Sequence, residues 1–377
     1  MPDRALVYNP AIQNQWDTIA PQSPHSPMPF RVTAQLPNPP NGVQIYAWHH
    51  SSAPTDAASL PNELTWTPAS HGHLAWVPAD RIATLPPELQ TAIHRYQKPL
   101  QPWQVRDREF AWGSRTYVMG VLNVTPDSFS DGGQFNSVEQ AVEQVRHLIE
   151  EGADILDIGG ESSRPGAESV SLQEELHRVV PVIRALREWT SIPISIDTTK
   201  APVLEAAIAA GADMLNDISA GLLDRDMLPT AACLGVPVFL MHMQGTPRTM
   251  QAAPSYGDVV DDVYDYFIER IEAAEAVGIP RARICIDPGI GFGKTVAHNL
   301  SLIARGAEFG SLGCPILVGV SRKSFIGKIL DKPAPSDRVW GTGGACAVAI
   351  ARSADVLRVH DVAEMSDISQ LCDRLLR

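Results

Sequence analysis

Eight short runs of aliphatic and β-branched residues alternate with longer amphipathic segments between residues 116 and 361. The runs are TYVMGVLNV, ADILDIGG, PISIDT, DMLNDIS, PVFLMHM, ICIDPG, PILVGVS and VLRVHD. Short apolar runs that alternate with helical segments are typical of parallel strands joined by crossover helices. Eight strand–helix units in roughly 260 residues match a (β/α)8 barrel in number and length, whereas an open doubly wound sheet usually needs fewer strands. The alternation therefore predicts an α/β protein built as a (β/α)8 TIM barrel.

The segments between the runs carry apolar residues at three- and four-residue spacing, most clearly in 137–152, 171–189 and 259–278. This is the period of a helix that buries one face. Ser137 and Ser171 open two of these segments, and a serine oxygen at that position accepts an unpaired amide hydrogen of the first helical turn. We therefore expect both serines to be helix N-caps.

The first 115 residues differ in composition from the rest of the chain. Proline and polar residues dominate stretches such as APQSPHSPMPFRVTAQLPNPPNG, which favours loops and extended linkers. The stretches GVQIYAW and HLAWVPA have the composition of short strands. We expect an irregular, proline-rich N-terminal extension of unknown role, residues 1–115, followed by the barrel, residues 116–377.

Bulk composition excludes several classes of protein. The 377-residue chain has a formal net charge of −13, which argues against wholesale nucleic-acid binding but permits a local anion site. It contains no apolar run of about 18 residues and no basic-then-apolar N-terminal signal, so neither a membrane span nor secretion is expected. The five cysteines lack CxxC spacing, which favours reduced thiols in the cytoplasm over disulfides or a zinc site. They are Cys233, Cys285, Cys314, Cys346 and Cys372.

Polar or charged residues follow the apolar part of every predicted strand. They are Asn123, Glu161 with Ser163 and Arg164, Asp197, Asn216 with Asp217, His242, Asp287, Lys323, and Arg358 with His360. A single carboxylate at such a position is commonly a helix N-cap, but eight polar strand ends together indicate a site. In a barrel of this kind the carboxyl ends of the strands meet at one face, which is where the functional site lies.

These residues divide by charge into two groups. The first group offers hydrogen-bond acceptors and an amide, suited to a flat heterocycle with several N–H donors: Asp197, Asn216 and Asp287. The second group is positive and comes from the second, seventh and eighth loops: Arg164, Lys323, Arg358 and His360. Guanidinium groups bind phosphates in forked geometry, so the second group indicates a phosphate or diphosphate site. The site is expected to hold a heterocycle and an anion side by side.

Three features resemble other kinds of site. The stretch GIGFGKT, residues 289–295, looks like a phosphate-binding loop, but that motif needs glycine where Pro288 stands, so Lys294 is expected to be a loop or helix-start residue. His242 resembles a metal ligand, but we expect it to be a structural histidine that is hydrogen-bonded inside the barrel. Glu161 is expected to orient a loop rather than to act as a base.

The strand-end motifs together resemble the dihydropteroate synthases, the folate-pathway family that sulfonamides inhibit. They are NVTPDSFSDGG, DIGGESSRPGA, ISIDTTK, NDISAG, LMHMQGTPRTMQ, DPGIGFGK, GVSRKSFIG and RVHD, in this order from about Thr116 to the C-terminus. The resemblance implies condensation of 6-hydroxymethyl-7,8-dihydropterin diphosphate with 4-aminobenzoate, giving 7,8-dihydropteroate and diphosphate. It also implies Mg2+ as cofactor, small-molecule substrates and a homodimer.

The same resemblance assigns roles to matching residues. The pterin would be held by Asp197, Asn216, Asp287 and Lys323; the diphosphate by Ser163, Arg164, Arg358 and His360; the metal by Asn123; and 4-aminobenzoate by Phe129, Pro165, Phe292 and Ser324. The residues implied to be catalytic are Asp197, Lys323 and Arg164. Diphosphate would leave first, and the arylamine would attack the resulting pterin cation without a covalent enzyme intermediate.

The chain departs from the family pattern in places, and two alternatives stay open. Thr199 stands where the family commonly has tyrosine, and Ser163 where it has threonine, while the helix start WGTGGACAVAIA is unusually rich in glycine. One alternative is a pterin-dependent methyltransferase with the same barrel, which the diphosphate-side residues disfavour. The other is a non-catalytic paralogue, which would be expected to show an eroded site.

Overall fold

A computed structural model describes most of the chain from residue 87 onward and parts of the N-terminal region. The described residues are 31–32, 44–49, 65–69, 72–84, 87–124, 134–162, 166–167 and 169–377. Four residues with expected roles, Phe129, Ser163, Arg164 and Pro165, lie outside them.

An antiparallel sheet forms within the N-terminal region. Its strands are β1 (Arg31–Val32), β2 (Gln44–His49), β3 (Thr65–Ala69) and β4 (Gly72–Pro78), in the order β1-β2-β4-β3. The two strands expected from composition, β2 and β4, are confirmed. Strand β3 was not expected because it contains Pro68, and it lies at the edge of the sheet, where a residue without an amide hydrogen is tolerated. A 3-10 turn (Ala79–Thr84) and helix α1 (Pro87–Gln97) follow.

The eight predicted strands form one parallel sheet that curves into a nearly closed barrel. They are β7 (Tyr117–Asn123), β8 (Ile155–Gly159), β9 (Ile194–Asp197), β10 (Met214–Asp217), β11 (Val238–Met241), β12 (Ile284–Asp287), β13 (Leu317–Val318) and β14 (Val356–Val359). Their order is β12-β11-β10-β9-β8-β7-β14-β13, and a parallel bridge between Ile286 and Ile316 joins the two ends. The (β/α)8 barrel predicted from the alternation is therefore confirmed.

Helices pack around the barrel between successive strands. They are α2 (Gln134–Glu150), α3 (Leu172–Arg187), α4 (Ala201–Ala210), α5 (Met227–Leu234), α6 (Val259–Ala276), α7 (Val296–Ala304), α8 (Ser324–Leu330), α9 (Val339–Ala351) and α10 (Val362–Leu376). Ser171 caps α3 as predicted, with its hydroxyl oxygen accepting from the Glu174 amide at 3.2 Å. The cap predicted at Ser137 is wrong, because α2 begins three residues earlier and no proline or glycine in residues 134–136 stops it. None of the described helices is both long and apolar enough to cross a membrane.

A two-stranded hairpin, β5 (Trp103–Val105) and β6 (Arg108–Phe110), covers the amino-terminal end of the barrel. Trp103 is buried, stands edge-on to Trp112 and Phe239 at ring-centroid distances of 4.9 and 5.5 Å, and donates its indole hydrogen to the Ala282 carbonyl at 2.5 Å. The hairpin packs on an apolar layer of inward-facing side chains from seven of the strands: Met119, Ile155, Met214, Phe239, Cys285, Leu317 and Val356. Water is thereby excluded from the lower half of the barrel.

The glycine-rich start of α9 has a packing reason. A Cβ atom at Gly341 would lie 2.3 Å from Ile326 Cγ2, and one at Gly343 would lie 2.4 Å from Ile368 Cδ1. These glycines let α9 approach α8 on one side and α10 on the other, so the departure from the family pattern is accommodated by close helix packing.

Replacing Trp103 by alanine is expected to lower the free energy of unfolding by about 3–5 kcal/mol, because it empties the buried contact between hairpin and barrel. Urea unfolding followed by circular dichroism measures this loss. Gln104→Ala is the control, since the neighbouring side chain on the same strand is exposed, and a change below about 0.5 kcal/mol is expected for it. Equal losses in the two variants would contradict a sealing role for the hairpin.

Candidate active site

The upper half of the barrel interior is polar, in contrast to the lower half. Side chains of a strand alternate between its two faces, so residues two apart point the same way. In β8, Ile155 belongs to the apolar lower layer, and Asp157, two residues further on, faces the same interior. In β14, Val356 and Arg358 are related in the same way. Along these strands the barrel interior therefore changes from apolar to charged within two residues.

Arg358 lies at the centre of this polar interior and is held by two carboxylates. Its Nε donates to Asp157 Oδ2 at 2.6 Å, and its Nη2 donates to Asp197 Oδ2 at 2.8 Å. Asn216, at 4% exposure, donates from Nδ2 to the same Asp157 oxygen at 3.0 Å. The structure thus brings three residues predicted from strand ends together, and it adds Asp157 as the residue that joins two of them.

Asp157 was missed by the strand-end argument because it lies in the middle of β8. A signal was nevertheless present, since a carboxylate interrupts the apolar run ILDIG at a position that faces inward. A buried carboxylate is unfavourable unless it is paired, so a charge inside an apolar strand indicates a partner within the barrel. That partner is Arg358.

Burial raises the pKa of Asp197 to about 7. The Arg358 guanidinium opposes this rise, while the nearby carboxylates Asp157, Glu175 and Asp217 add to it. Desolvation disfavours the charged form of a carboxyl group, and neighbouring negative charges do so as well. Asp197 can therefore change its protonation state near neutral pH.

Asp287 and Lys323 face this cluster from the opposite side of the barrel. The Asp287 carboxylate accepts from the Gly289 amide at 2.7 Å, and burial raises the pKa of this carboxyl group. Lys323 donates from Nζ to the Ile290 carbonyl at 2.8 Å and lies 4.1 Å above the centre of the Phe292 ring. Burial lowers the pKa of Lys323 to about 8, although Asp287 favours its charged form. The pair provides an acceptor and a donor within one half of the site.

The seventh and eighth loops are fixed to each other next to Lys323. Ser321 is within hydrogen-bond distance of His360 at two atoms: its hydroxyl lies 3.1 Å from the His360 amide nitrogen and 3.0 Å from Nδ1. Arg322 forms a forked ion pair with Asp361 and adopts a positive φ of 57°, a conformation that is uncommon for a residue with a side chain. This arrangement orients His360 beside Arg358.

Two residues expected at the second substrate are described, and they differ in exposure. Phe292 is 9% exposed and packs in a small apolar cluster with Ile218, Met241 and Met250. Ser324 is exposed and is the first residue of α8. Apolar packing therefore holds the Phe292 ring in place, whereas Ser324 presents its hydroxyl to solvent.

Asp217 and His242, two of the polar strand-end residues, hold the structure together instead of lining the site. Asp217 accepts from Ser219 and Gly221 and so orders the fourth loop. His242 is buried, as expected, with Nδ1 2.8 Å from Lys294 Nζ. Burial lowers the pKa of this histidine to about 2 and lowers that of Lys294 well below its usual range.

Lys294 also donates to the Phe292 carbonyl at 3.0 Å, which fixes the sixth loop from inside. The lysine directly precedes Thr295, the N-cap of α7, as expected for a helix-start residue. The resemblance of GIGFGKT to a phosphate loop is therefore only apparent.

Glu161 joins the second and third loops, as expected for a residue that orients a loop. Its carboxylate accepts from the Val170 amide at 3.1 Å and pairs with Lys200. Lys200 also binds Glu175, whose other oxygen accepts from the Thr198 hydroxyl at 2.7 Å. An open cavity of about 630 Å³ lies above this network and extends to Asp197. Thr199 lines the cavity, so it flanks the site as predicted.

Asn123 ends β7 at the same face of the barrel and is half-buried. Its amide oxygen is a hard ligand of the kind that Mg2+ accepts. No group of three or more His, Cys, Asp or Glu side chains that could hold a metal ion occurs among the described residues.

Comparison with known proteins places this site in a family. A family model described as pterin binding enzyme matches residues 119–360. A dihydropteroate synthase from Synechocystis sp. is 52% identical over 276 residues, which are 73% of this chain and 96% of that protein.

Solved structures of the same kind superpose on the barrel. A dihydropteroate synthase from Yersinia pestis in complex with a sulfonamide drug is 43% identical with a TM-score of 0.69, and the match covers 73% of this chain and 99% of that chain. One from Xanthomonas albilineans with 4-aminobenzoic acid is 47% identical with a TM-score of 0.69, over 73% of this chain and 98% of that chain.

Asp197→Asn is expected to become more stable relative to the natural protein as pH rises from 5 to 8. The pKa of Asp197 is about 7 in the folded protein and about 3.9 in an unfolded chain, so between these values folding retains a proton that the unfolded chain loses. Ionising the carboxyl group therefore costs the folded state stability as pH rises through this window, and asparagine removes that cost.

Urea unfolding of both proteins at pH 5, 6, 7, 8 and 9 checks the expected trend. The difference in unfolding free energy should shift in favour of the variant up to about pH 8 and then level off. A difference that is independent of pH would contradict the raised pKa of Asp197.

Proposed function

This chain belongs to the dihydropteroate synthase family of pterin-binding enzymes, and we propose that the polar upper half of its barrel is where the two substrates of that family are joined. The enzyme catalyses the formation of dihydropteroate in folate biosynthesis and is a transferase. The observation that carries the assignment of the site is the group of hydrogen-bond acceptors around Arg358, with Asp197 and Asn216 on one side and Asp287 on the other.

The pterin ring is held by the acceptors and by Lys323. Asp197, Asn216 and Asp287 accept from the N–H groups of the heterocycle, and Lys323 donates to one of its acceptor atoms. Buried charged acceptors form short, directional hydrogen bonds with such donors. Lys323 supports this role because its pKa of about 8 keeps it mostly protonated near neutral pH, and its Nζ is aimed into the site by the Ile290 carbonyl.

The diphosphate is held on the other side of Arg358. Arg358 and His360 bind its oxygens, joined by Ser163 and Arg164 from the second loop. Asn123 would hold Mg2+, and the bound ion would neutralise charge on the diphosphate as it leaves. The position of His360 next to Ser321, with Arg358 two residues earlier on the same strand end, supports this assignment.

The reaction breaks the bond between the exocyclic methylene carbon of the pterin and the diphosphate oxygen. Both electrons of that bond leave with diphosphate, whose charge Arg358, His360 and Arg164 stabilise, and the positive charge left on the pterin is stabilised by the Asp197 carboxylate. The nitrogen lone pair of 4-aminobenzoate then forms the new C–N bond, and the nitrogen loses a proton. No side-chain nucleophile is needed.

4-Aminobenzoate occupies a pocket framed by Phe129, Pro165, Phe292 and Ser324. Phe292 supports this assignment because it presents a wall that is fixed from behind by apolar packing and lies over Lys323. Ser324 supplies a hydroxyl for the carboxylate of the second substrate. The Xanthomonas albilineans relative binds 4-aminobenzoic acid, and we infer that this chain does so at the same face of the barrel.

Two other functions fit this site less well. A pterin-dependent methyltransferase would have no use for a positive cluster at the diphosphate position, and the relatives compared above are synthases. A non-catalytic paralogue would be expected to lose polar residues, but the described part of the site keeps Asn123, Asp197, Asn216, Asp287 and the positive groups.

Release of diphosphate by the purified protein tests the proposed site. With pterin diphosphate and Mg2+ present, turnover should require 4-aminobenzoate. Asp197→Ala and Lys323→Ala should each lower kcat/KM at least 100-fold, because the first removes the negative charge that stabilises the pterin cation and the second removes a hydrogen bond that orients the pterin ring. Asp337→Ala is the control, since this exposed carboxylate lies on the surface turn that precedes α9. Turnover retained in both site variants would contradict the proposed pterin clamp.

We propose that the protein is a homodimer formed through α8, α9 and α10. These helices carry most of the large apolar side chains that are exposed: Ile329, Leu330, Trp340, Val348, Leu371, Leu375 and Leu376. Trp340 is 86% exposed, and Gly344 and Val348 follow it at four-residue spacing on the same face of α9. A Cβ atom at Gly344 would meet no other atom within 4 Å, so packing within the chain does not explain this glycine. A contiguous apolar surface of this kind favours a second copy of the chain.

Val348→Glu is expected to weaken dimerisation at least tenfold, because it places a charge in the centre of the apolar face. Sedimentation velocity over a range of concentrations measures the change. Val277→Glu is the matched control, since Val277 is also exposed but lies at the end of α6, outside this face. Equal dimer affinity in the two variants would show that the interface lies elsewhere.

We propose that the enzyme acts in the cytoplasm and that residues 1–115 form an N-terminal extension to the catalytic barrel, residues 116–377, with the β5–β6 hairpin as the part of the extension that closes the barrel. All five cysteines are free thiols, which suits a reducing compartment. The matched region of the family model lies entirely within the proposed barrel, which supports the division.

A further inference from the structure

Asp157 is completely buried inside the barrel and binds two residues that the proposed function assigns to different substrates. Its Oδ2 accepts from Arg358, on the diphosphate side, at 2.6 Å and from Asn216, on the pterin side, at 3.0 Å. Asp157 lies two residues before Gly159 on β8, and Gly159 pairs with Asp197 on β9. Asp157 therefore lies beneath the junction of the two subsites.

Two partners compete for the Asp197 carboxylate: Arg358 and the pterin. In the structure it pairs with Arg358 Nη2 at 2.8 Å, whereas the proposed function requires it to accept from the pterin. The Arg358 side chain is only 21% exposed, and a largely buried guanidinium that loses its counter-ions destabilises the folded protein. Arg358 avoids this outcome only if a second carboxylate keeps it paired when Asp197 turns to the substrate.

We propose that Asp157 is the positioning residue that holds Arg358 in place while Asp197 is released to the pterin. This inference rests on the proposed function, because it takes from it the roles of Asp197 and Arg358. The guanidinium is bound through Nε to Asp157, so its terminal nitrogens can exchange Asp197 for diphosphate without moving the side chain. Asp157 thereby permits the terminal nitrogens of one arginine to bind Asp197 and the diphosphate in turn.

A purely structural role of Asp157 would not account for the unpaired oxygen of its carboxylate. The second carboxylate oxygen of Asp157, Oδ1, is buried and has no hydrogen-bond partner among the described residues. Leaving a buried acceptor unpaired is unfavourable for folding, so a chain selected for stability alone would gain from replacing this charge. Its presence is explained if the negative charge acts on Arg358.

The pKa of Asp197 distinguishes a positioning role of Asp157 from a purely structural one, because it depends on the charges around Asp197. They come from several elements: Arg358 on β14, Asp157 on β8, Glu175 on α3 and Asp217 on β10. Burial raises the pKa of Asp197, and the negative charge of Asp157 adds to the rise. Asp157→Asn removes that contribution, so the pKa of Asp197 should fall.

The test measures binding of 6-hydroxymethylpterin, which lacks the diphosphate, between pH 5.5 and 8.5 by isothermal titration calorimetry. At pH 8, Asp157→Asn should weaken binding at least tenfold, since the pterin then takes Asp197 and leaves Arg358 unpaired. The loss of affinity on acidification, centred near pH 7 in the natural protein, should move to lower pH. In an Arg358→Met background, Asp157→Asn should weaken binding less than twofold, because no guanidinium is left to hold.

Asp154→Asn is the matched control, because Asp154 is also a buried, ion-paired carboxylate but lies near the hairpin beside Arg115. It should leave pterin affinity unchanged. Asp157→Ser serves as a second variant, and thermal unfolding followed by circular dichroism establishes that each variant is folded.

Equal weakening by Asp157→Asn in both backgrounds, with no shift along the pH axis, would overturn the positioning role. Asp197→Asn separates this failure from failure of the proposed function. If Asp197→Asn binds the pterin as the natural protein does, the assignment of Asp197 itself is wrong. If it loses the pterin while Asp157→Asn does not, only the inference about Asp157 fails.

Discussion

The ion pairs between Arg358 and the carboxylates Asp157 and Asp197 are the interaction on which the site depends. Three aspartates point into the upper barrel, and Arg358 is the positive group that faces all of them. Burial makes each carboxylate unfavourable, and their mutual repulsion adds to that cost. The arginine offsets both effects, at distances of 2.6 and 2.8 Å to two of the three. The result is an interior that tolerates a concentrated negative charge without substrate and is complementary to a positive heterocycle.

The rest of the fold maintains these conditions. The hairpin and the apolar layer seal the lower barrel, so the ion pairs are shielded from water on that side, where a lower local dielectric strengthens electrostatic interactions. Loops six, seven and eight are fixed by contacts that do not involve substrate, such as Lys294 with His242 and Arg322 with Asp361. A site whose dipoles and charges are held before the substrate arrives stabilises developing charge without reorganisation. In the proposed mechanism that charge is the pterin cation on one side of Arg358 and the leaving diphosphate on the other.

The sequence allowed the barrel and most of the polar cluster in its upper half to be predicted, for physical reasons that also explain what was missed. The eight strands were predictable because each is a short apolar run, and Asp197, Asn216 and Asp287 because they lie within the last two residues of their strands. Asp157 was missed because its importance comes from Arg358, about 200 residues later, and that contact depends on closure of the barrel. The hairpin was missed because its strands have three residues each and lie in a region whose composition favours loops. His242 was predicted to be structural, but its partner Lys294 could be identified only from the packing of two loops.

The central claim is that Arg358 keeps Asp157 and exchanges Asp197 for substrate. A crystal structure of the enzyme with a non-reactive analogue of the pterin diphosphate tests this most directly. In that complex we expect Nε of Arg358 to stay within hydrogen-bond distance of Asp157, the Asp197 carboxylate to turn to the pterin N–H groups, and the terminal nitrogens of Arg358 to bind the diphosphate. An occupied site in which Asp197 remains on Arg358, or in which Arg358 has left Asp157, would contradict this claim.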